Sequence, residues 1–206
     1  MQPTYLTNED PRYPEQLRLR PVGGVSEPLA VLGEPELLRL PLTALLCSRR
    51  CPGALILQAH ELAQRWRETG TPVVSGFQSP VERECLRVLL RGTGPLVMCL
   101  ARKLLTQVPP ELREAIEAGR LALVTPFVDG PRRPDARMTA HRNRLVAALA
   151  ERVVVIHASP GGMVERLCGE AVNWGVPVVA PDHPGNEHLT ALGVDLANPD
   201  QLRGGA

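Results

Sequence analysis

Two chemistries that suit one class of ligand meet between Arg132 and Glu165. Arg132, Arg133, Arg137, Arg142 and Arg144 stand against a single Asp135 within thirteen residues. An apolar strand pattern over 153–156 then runs into Ser159-Pro160-Gly161-Gly162, with Glu165 just beyond. A glycine turn that opens a helix presents backbone N–H groups and the positive end of the helix dipole, which suits a phosphate. Guanidinium groups suit the same anion through paired donors. The whole chain carries 23 Lys and Arg against 22 Asp and Glu, a formal charge of +1, so this basicity is local. A phosphorylated ligand is the expectation, held mainly by arginine, because Lys103 is the only lysine.

Two further segments have the same character. Cys47-Ser48-Arg49-Arg50-Cys51-Pro52-Gly53 and Ser75-Gly76-Phe77-Gln78-Ser79 each follow a short apolar run and precede a helical pattern. Hydroxyls, helix-start amides and Arg49 or Arg50 are the groups that hold phosphate or sugar, so Ser48, Arg49, Arg50, Ser75, Gly76, Ser159, Gly161 and Gly162 are candidate ligand residues. Arg142, Asn143 and Arg144 join them from the basic segment. Arg142 and Arg144 are two apart on a helix and so point about 200° from each other. One is expected at the ligand and the other on a carboxylate or an interface. Tight-turn chemistry alone accounts for any single one of these turns, whereas three on one sheet edge favour a ligand.

The elements that must position these groups read clearly. Continuous apolar runs predict strands over 29–32, 43–47, 72–75, 96–100, 122–125, 153–156 and 177–180. Helical periods lie between them near 55–68, 81–90, 110–118, 139–150 and 163–174. Strands that do not alternate are covered on both faces, and strand–helix repetition at this spacing means βαβ units. The expected fold is α/β, a Rossmann-like doubly wound, mostly parallel sheet. Ligands of such sheets sit at the carboxyl ends of the strands, where all three turns fall. Ser79 with Glu82 has capping-box spacing, Thr139 is the expected N-cap of the arginine helix, and Gly70, Gly119 and Gly175 close helices. Six prolines (Pro3, Pro11, Pro14, Pro21, Pro28 and Pro35) punctuate residues 1–40, which are expected to form a small N-terminal lobe beside a domain at 41–206.

Composition narrows the function classes. Aromatics are 3% of the chain, too few for extended base-stacking platforms. The five cysteines, Cys47, Cys51, Cys85, Cys99 and Cys168, form no zinc set and are expected as free thiols. No Walker loop, HExxH or GxSxG stretch occurs, and no catalytic residue, metal or cofactor is expected. The N-terminus does not read as a signal peptide, and no apolar run nears the roughly 20 residues that span a bilayer. A cytoplasmic protein is expected.

Asp10-Pro11-Arg12-Tyr13-Pro14-Glu15-Gln16-Leu17, Leu29-Ala30-Val31-Leu32-Gly33, Ser48-Arg49, Ser75-Gly76 and Arg142-Asn143-Arg144-Leu145-Val146-Ala147-Ala148-Leu149 occur in an order that resembles the DNA-processing protein A (DprA/Smf) family. That family has a D-x-x-Y-P-x-x-L opening, an L-x-x-x-G strand, G-S-R and S-G turns and an R-N-R-I-I-A-G-L helix. Cys47 stands where the family has the first glycine of G-S-R, and Gln78-Ser79-Pro80-Val81-Glu82-Arg83-Glu84 replaces its G-I-D-x-x-A-H stretch. The resemblance implies a Rossmann-like domain that dimerises, binds single-stranded DNA in a basic pocket at this sheet edge and helps load RecA in transformation and recombination. By resemblance Arg49 contacts phosphate, and Ser75, Gly76, Arg142 and Arg144 line or support the pocket. The Ser159–Gly162 turn is similar instead to the P-G-G-x-x-T-x-x-E turn of the related cytokinin-activating phosphoribohydrolases. That likeness implies an alternative: a small-nucleotide-binding protein or a phosphoribohydrolase-like enzyme acting on a nucleoside monophosphate, with the phosphate on Arg49 and Gly161-Gly162 and Glu165 acting on the ribose.

Overall fold

Nine strands share one sheet in the computed structural model, which describes residues 2–20, 22, 28–131 and 133–202. Arg132 of the basic segment lies outside them. In chain order the strands are β1 (Thr4–Leu6), β2 (Leu29–Leu32), β3 (Thr43–Cys47), β4 (Val73–Ser75), β5 (Leu96–Cys99), β6 (Leu121–Thr125), β7 (Arg152–His157), β8 (Val178–Pro181) and β9 (Asp195–Ala197). In space they run β1-β2-β6-β5-β4-β3-β7-β8-β9. Every pair from β6 across to β9 is parallel, while β1–β2 and β2–β6 are antiparallel.

The helices are α1 (Glu15–Leu19), α2 (Gly53–Thr69), α3 (Pro80–Leu89), α4 (Pro110–Glu117), α5 (Ala136–Leu149), α6 (Met163–Asn173) and α7 (Pro199–Leu202). Short 3₁₀ segments cover Pro35–Arg39 and Pro184–Leu192. From β3 the chain steps outward through β4, β5 and β6, and α2, α3 and α4 cover one face. Helix α5 then carries it back past β3 to β7, and α5 and α6 cover the other face. Reversing the direction of travel while keeping right-handed crossovers forces the change of face. The chain is therefore doubly wound, with its reversal between β3 and β7.

Two apolar layers record this. Ala44, Leu46, Val153 and Val155 pack with α5 and α6, whereas Leu45, Cys47, Val154 and Ile156 pack with α2 and α3. Successive strand residues thus feed opposite layers, which is why the strand sequences are apolar without interruption. A fully buried leucine contributes about 2 kcal/mol to this packing. Among the described residues no helix is long and apolar enough to cross a membrane.

The expected strands and helices appear within a few residues of their predicted limits, and Gly70, Gly119 and Gly175 sit with positive φ just past their helices. One N-cap is corrected. Helix α5 begins at Ala136, where the extended Asp135 accepts the Met138 N–H at 2.7 Å, rather than at Thr139. Thr139 lies within the first turn, its hydroxyl donating to the Asp135 carbonyl at 2.8 Å. Asp is the stronger cap, and Pro134 before it disfavours a helical approach.

Residues 1–40 add β1 and β2 to the sheet and lay α1 against α5. In the Asp10-Pro11-Arg12-Tyr13-Pro14 segment, Asp10 accepts the Arg12 backbone N–H at 2.8 Å and its guanidinium at 3.1 and 2.9 Å. Arg12 thereby holds the Asp10 carboxyl below its ordinary range. Tyr13 is buried beneath the Arg18 guanidinium, and Arg20 donates to the Ala150 carbonyl at 2.7 Å, tying α1 to the end of α5. Gly33 turns the chain out of β2 at φ +108°, where an added Cβ would lie 2.4 Å from the Leu121 carbonyl oxygen. Gly33→Ala is therefore expected to cost at least about 2 kcal/mol, read as a lower urea midpoint with an unchanged slope.

Candidate functional site

The crevice of a doubly wound sheet opens outside the carboxyl ends of the strands that flank its reversal, here β3 and β7. Ser48 fastens these two ends together. Its N–H donates to the His157 carbonyl at 2.8 Å, and its Oγ accepts the Ser159 N–H at 2.9 Å. Ser48 is buried by this work, while Arg49 and Arg50 are exposed beside it. Helix α2 starts immediately afterwards at Gly53 with no side-chain cap. Two exposed guanidinium groups thus stand at the reversal on a turn anchored from below.

The β4 turn is held from two sides. Ser75 is fully buried, and its Oγ accepts the Phe77 N–H at 3.1 Å, supporting Phe77 at φ 48°. Ser79 and Glu82 form the expected capping box of α3, yet Glu82 does more than cap. One carboxylate oxygen accepts the Gln78 and Ser79 N–H groups at 2.7 and 3.1 Å, and the other accepts the Cys47 N–H at 2.9 Å. Glu82 therefore joins the ends of β3 and β4. Burial pushes its carboxyl above the ordinary range, against the downward pull of the three amides and Arg142.

Arg142 closes the other side. Its guanidinium lies against Gly76, where an added Cβ would be 1.9 Å from Nη1 and 2.3 Å from Cζ. Only glycine admits a guanidinium this close. Nη1 donates to the Cys99 carbonyl at 3.3 Å and Nε to Asn143 Oδ1 at 2.8 Å. Burial draws the guanidinium below its usual pKa while Glu82 opposes the fall, and an arginine remains a cation there.

Asn143 donates to the Met163 sulfur at 3.4 Å, at the start of α6. Arg144 forms a two-point pair with Glu170 at 2.6 and 2.8 Å. The Arg142-Asn143-Arg144 triplet thus clamps α5 to β5, the β4 turn and α6, with the two arginines pointing apart.

The Ser159–Gly162 turn uses its glycine amides internally. Gly161 N–H donates to Glu165 at 2.6 Å and Gly162 N–H to the Ser159 carbonyl at 2.9 Å. The expectation that this turn exposes both amides is corrected, because Glu165 reaches back from the first turn of α6 and takes one. Glu165 also faces His188 at 3.5 Å.

Some residues of this edge escaped sequence reasoning. Asn186 is fully buried, contacting His157 Nδ1 at 3.1 Å and donating to the Ile156 and Pro181 carbonyls at 3.0 and 3.2 Å. Only the turn composition of His183-Pro184-Gly185 hinted at it. Arg102 and Lys103 follow β5 at the same carboxyl edge, half-buried; Lys103 stood out only as the single lysine, and nothing in the surrounding sequence placed either cation at this edge. Among the described residues no cluster of three or more His, Cys, Asp or Glu could hold a metal.

Comparison with known proteins adds family evidence. The sequence model of the family described as DNA recombination-mediator protein A matches residues 4–184. DNA processing protein A from Streptococcus pneumoniae superposes with a TM-score of 0.79 at 21% identity, covering 97% of this chain and 72% of its own. The Helicobacter pylori protein of that name, described for its single-stranded DNA binding mode, gives 0.71 at 20% identity over 92% and 88%. A molybdenum cofactor binding protein from Rippkaea orientalis is similar at the level of fold, with a TM-score of 0.56 at 14% identity over 78% and 91%. No curated protein matches the sequence significantly.

Glu82 supplies a direct test of the geometry. Glu82→Gln faces an amide donor with another donor, so a loss of about 1–3 kcal/mol is expected. A carboxyl raised in the folded state stabilises most at low pH, and that stabilisation falls as pH climbs through the raised value. The gap between parent and variant in urea unfolding should therefore shrink as pH rises above the ordinary carboxylate range.

Proposed function

This chain belongs to the DNA recombination-mediator protein A family, and from that premise we propose that its carboxyl sheet edge binds the phosphates of single-stranded DNA. The observation that carries the reading is the exposed pair Arg49 and Arg50 at the β3–β7 reversal, on a turn anchored through Ser48. Arg102 and Lys103 after β5, and Arg133 and Arg137 at the start of α5, place more cations along the same edge. A row of cations suits a polyanion, and a local row suits a chain whose total charge is only +1. The role is binding rather than catalysis, in recombination or transformation. The protein acts in the cytoplasm as a homodimer that delivers the strand to RecA.

The candidate residues then divide by task. Arg49 and Arg50 meet phosphate. Ser48, Ser75, Gly76, Arg142 and Asn143 position the turns, and Arg144 secures α6. Ser159, Gly161 and Gly162 shape the rim of the crevice. The small-nucleotide alternative needs free Gly161 and Gly162 amides and a free Glu165, and the bonds among these residues favour the DNA reading.

Fluorescence anisotropy of a labelled single-stranded oligonucleotide across a salt series tests this. Binding should weaken steeply with salt, and Arg49→Ala should flatten the logarithmic slope by about 0.7, one phosphate contact on a single strand. No binding at low salt, with stabilisation by a nucleoside monophosphate in a thermal-shift assay, would replace the DNA reading with the nucleotide one.

A further inference from the structure

His157 ends β7 beside the arginine turn. Its carbonyl accepts the Ser48 N–H at 2.8 Å, so it stands one hydrogen bond from the turn that carries Arg49 and Arg50. Only 8% of the residue is exposed, and its ring is gripped from one side by the fully buried Asn186.

Asn186 sets the tautomer of that ring. Its Nδ2 lies 3.0 Å from the Ile156 carbonyl oxygen and 3.2 Å from that of Pro181. Carbonyls only accept, so Nδ2 is the donor to both, and Oδ1 is the acceptor that meets His157 Nδ1 at 3.1 Å. The proton of the neutral imidazole is thereby held on Nδ1. Nε2 is the remaining nitrogen, and it makes no hydrogen bond among the described residues. Glycine at 185 places no side chain against the ring, where a Cβ would touch Cε1 at 3.6 Å. Protonation adds a donor at Nε2 and leaves the bond from Nδ1 to Asn186 intact. The inner network is the same in both charge states, and only the group offered to a ligand changes.

We propose that His157 is a further phosphate contact of this edge: Nε2 donates to a ligand phosphate as the imidazolium, and the protein takes up a proton from solvent as it binds. A neutral Nε2 only accepts and has nothing to give a phosphate oxygen, whereas the imidazolium offers a charge-assisted bond. Imidazole is the side chain that ordinarily changes charge between about pH 5 and about pH 8.

The surroundings leave the place of the anion to the ligand. Cys47 is the register partner of His157 on β3, and Arg49 and Arg50 on the turn beyond oppose a further cation until a phosphate arrives. Glu165 of α6 is occupied by the Gly161 N–H and faces His188. On the chain leaving β8, His183 accepts the Gly185 N–H through Nδ1 at 2.9 Å, while Asp182 and Glu187 are exposed. No carboxylate pairs with His157 among the described residues.

The contact rests on the phosphate reading of this edge, so two probes separate them. For a labelled single-stranded oligonucleotide at fixed ionic strength, anisotropy is followed from about pH 5.5 to about pH 8. Calorimetry in two buffers of different ionisation enthalpy counts the protons taken up. Affinity should fall as pH rises, by at most about tenfold per pH unit for one linked proton. His157→Gln should give a flat profile without that uptake, while His183→Gln and His188→Gln should keep the parent profile. A parent chain that binds with no proton uptake overturns the proposal, whether or not the variant folds, and so does a His157→Gln variant with the parent profile. If no oligonucleotide binds at any pH, the DNA reading falls, and inorganic phosphate is titrated while the assigned His157 ring signal is followed by nuclear magnetic resonance. A titration midpoint that phosphate moves upward supports the contact without DNA. A midpoint that phosphate leaves in place overturns the contact as well.

Discussion

A carboxyl and a guanidinium buried on either side of one turn hold the carboxyl edge together. Glu82 and Arg142 make no direct ion pair among the described residues, and the β4 turn lies between them. Each is expensive to bury, and each is compensated by backbone groups that the turn and its neighbours supply. Glu82 collects three amides from two strand ends, and Arg142 takes a carbonyl from a third. Neither group is satisfied unless β3, β4 and β5 end in register. Ser48 extends the same dependence to β7. The exposed arginines consequently stand on a platform whose parts must all be in place together.

This arrangement separates motif from contact. The Arg142-Asn143-Arg144 triplet is the most recognisable piece of the chain, yet its side chains face inward and toward α6. A basic motif in a phosphate-binding region invites the reading that each arginine meets phosphate. Here the buried Arg142 acts through the shape it gives Gly76. Arg49 and Arg50, in a less conspicuous stretch, are the residues left facing solvent at the reversal.

The parallel core was legible because each strand there is buried on both faces and each helix has its own period. Thr43–Cys47 was readable to the residue, and the capping box at Ser79 announced α3. The edges were harder: β1 and β9 are three residues each, too short for any period, and the Pro184–Leu192 segment has no repeat of its own. The turns of the candidate site were legible one by one, but the hydrogen-bond network that joins them was not. Hydrogen bonds such as Glu82 to Cys47 and Asn186 to Ile156 join residues some thirty positions apart. Local spacing carries no trace of such pairings, and the retraction of the Gly161 amide by Glu165 depends on a side-chain rotamer rather than on composition.

The same brevity of β1 and β9 has a colloidal consequence. A sheet ending in long, flat strands offers unpaired amides and carbonyls as a template for another chain, which is how ordered aggregates begin. Among the described residues each margin presents a strand of three. The fold is thus poorly suited to growth by adding strands from a second copy.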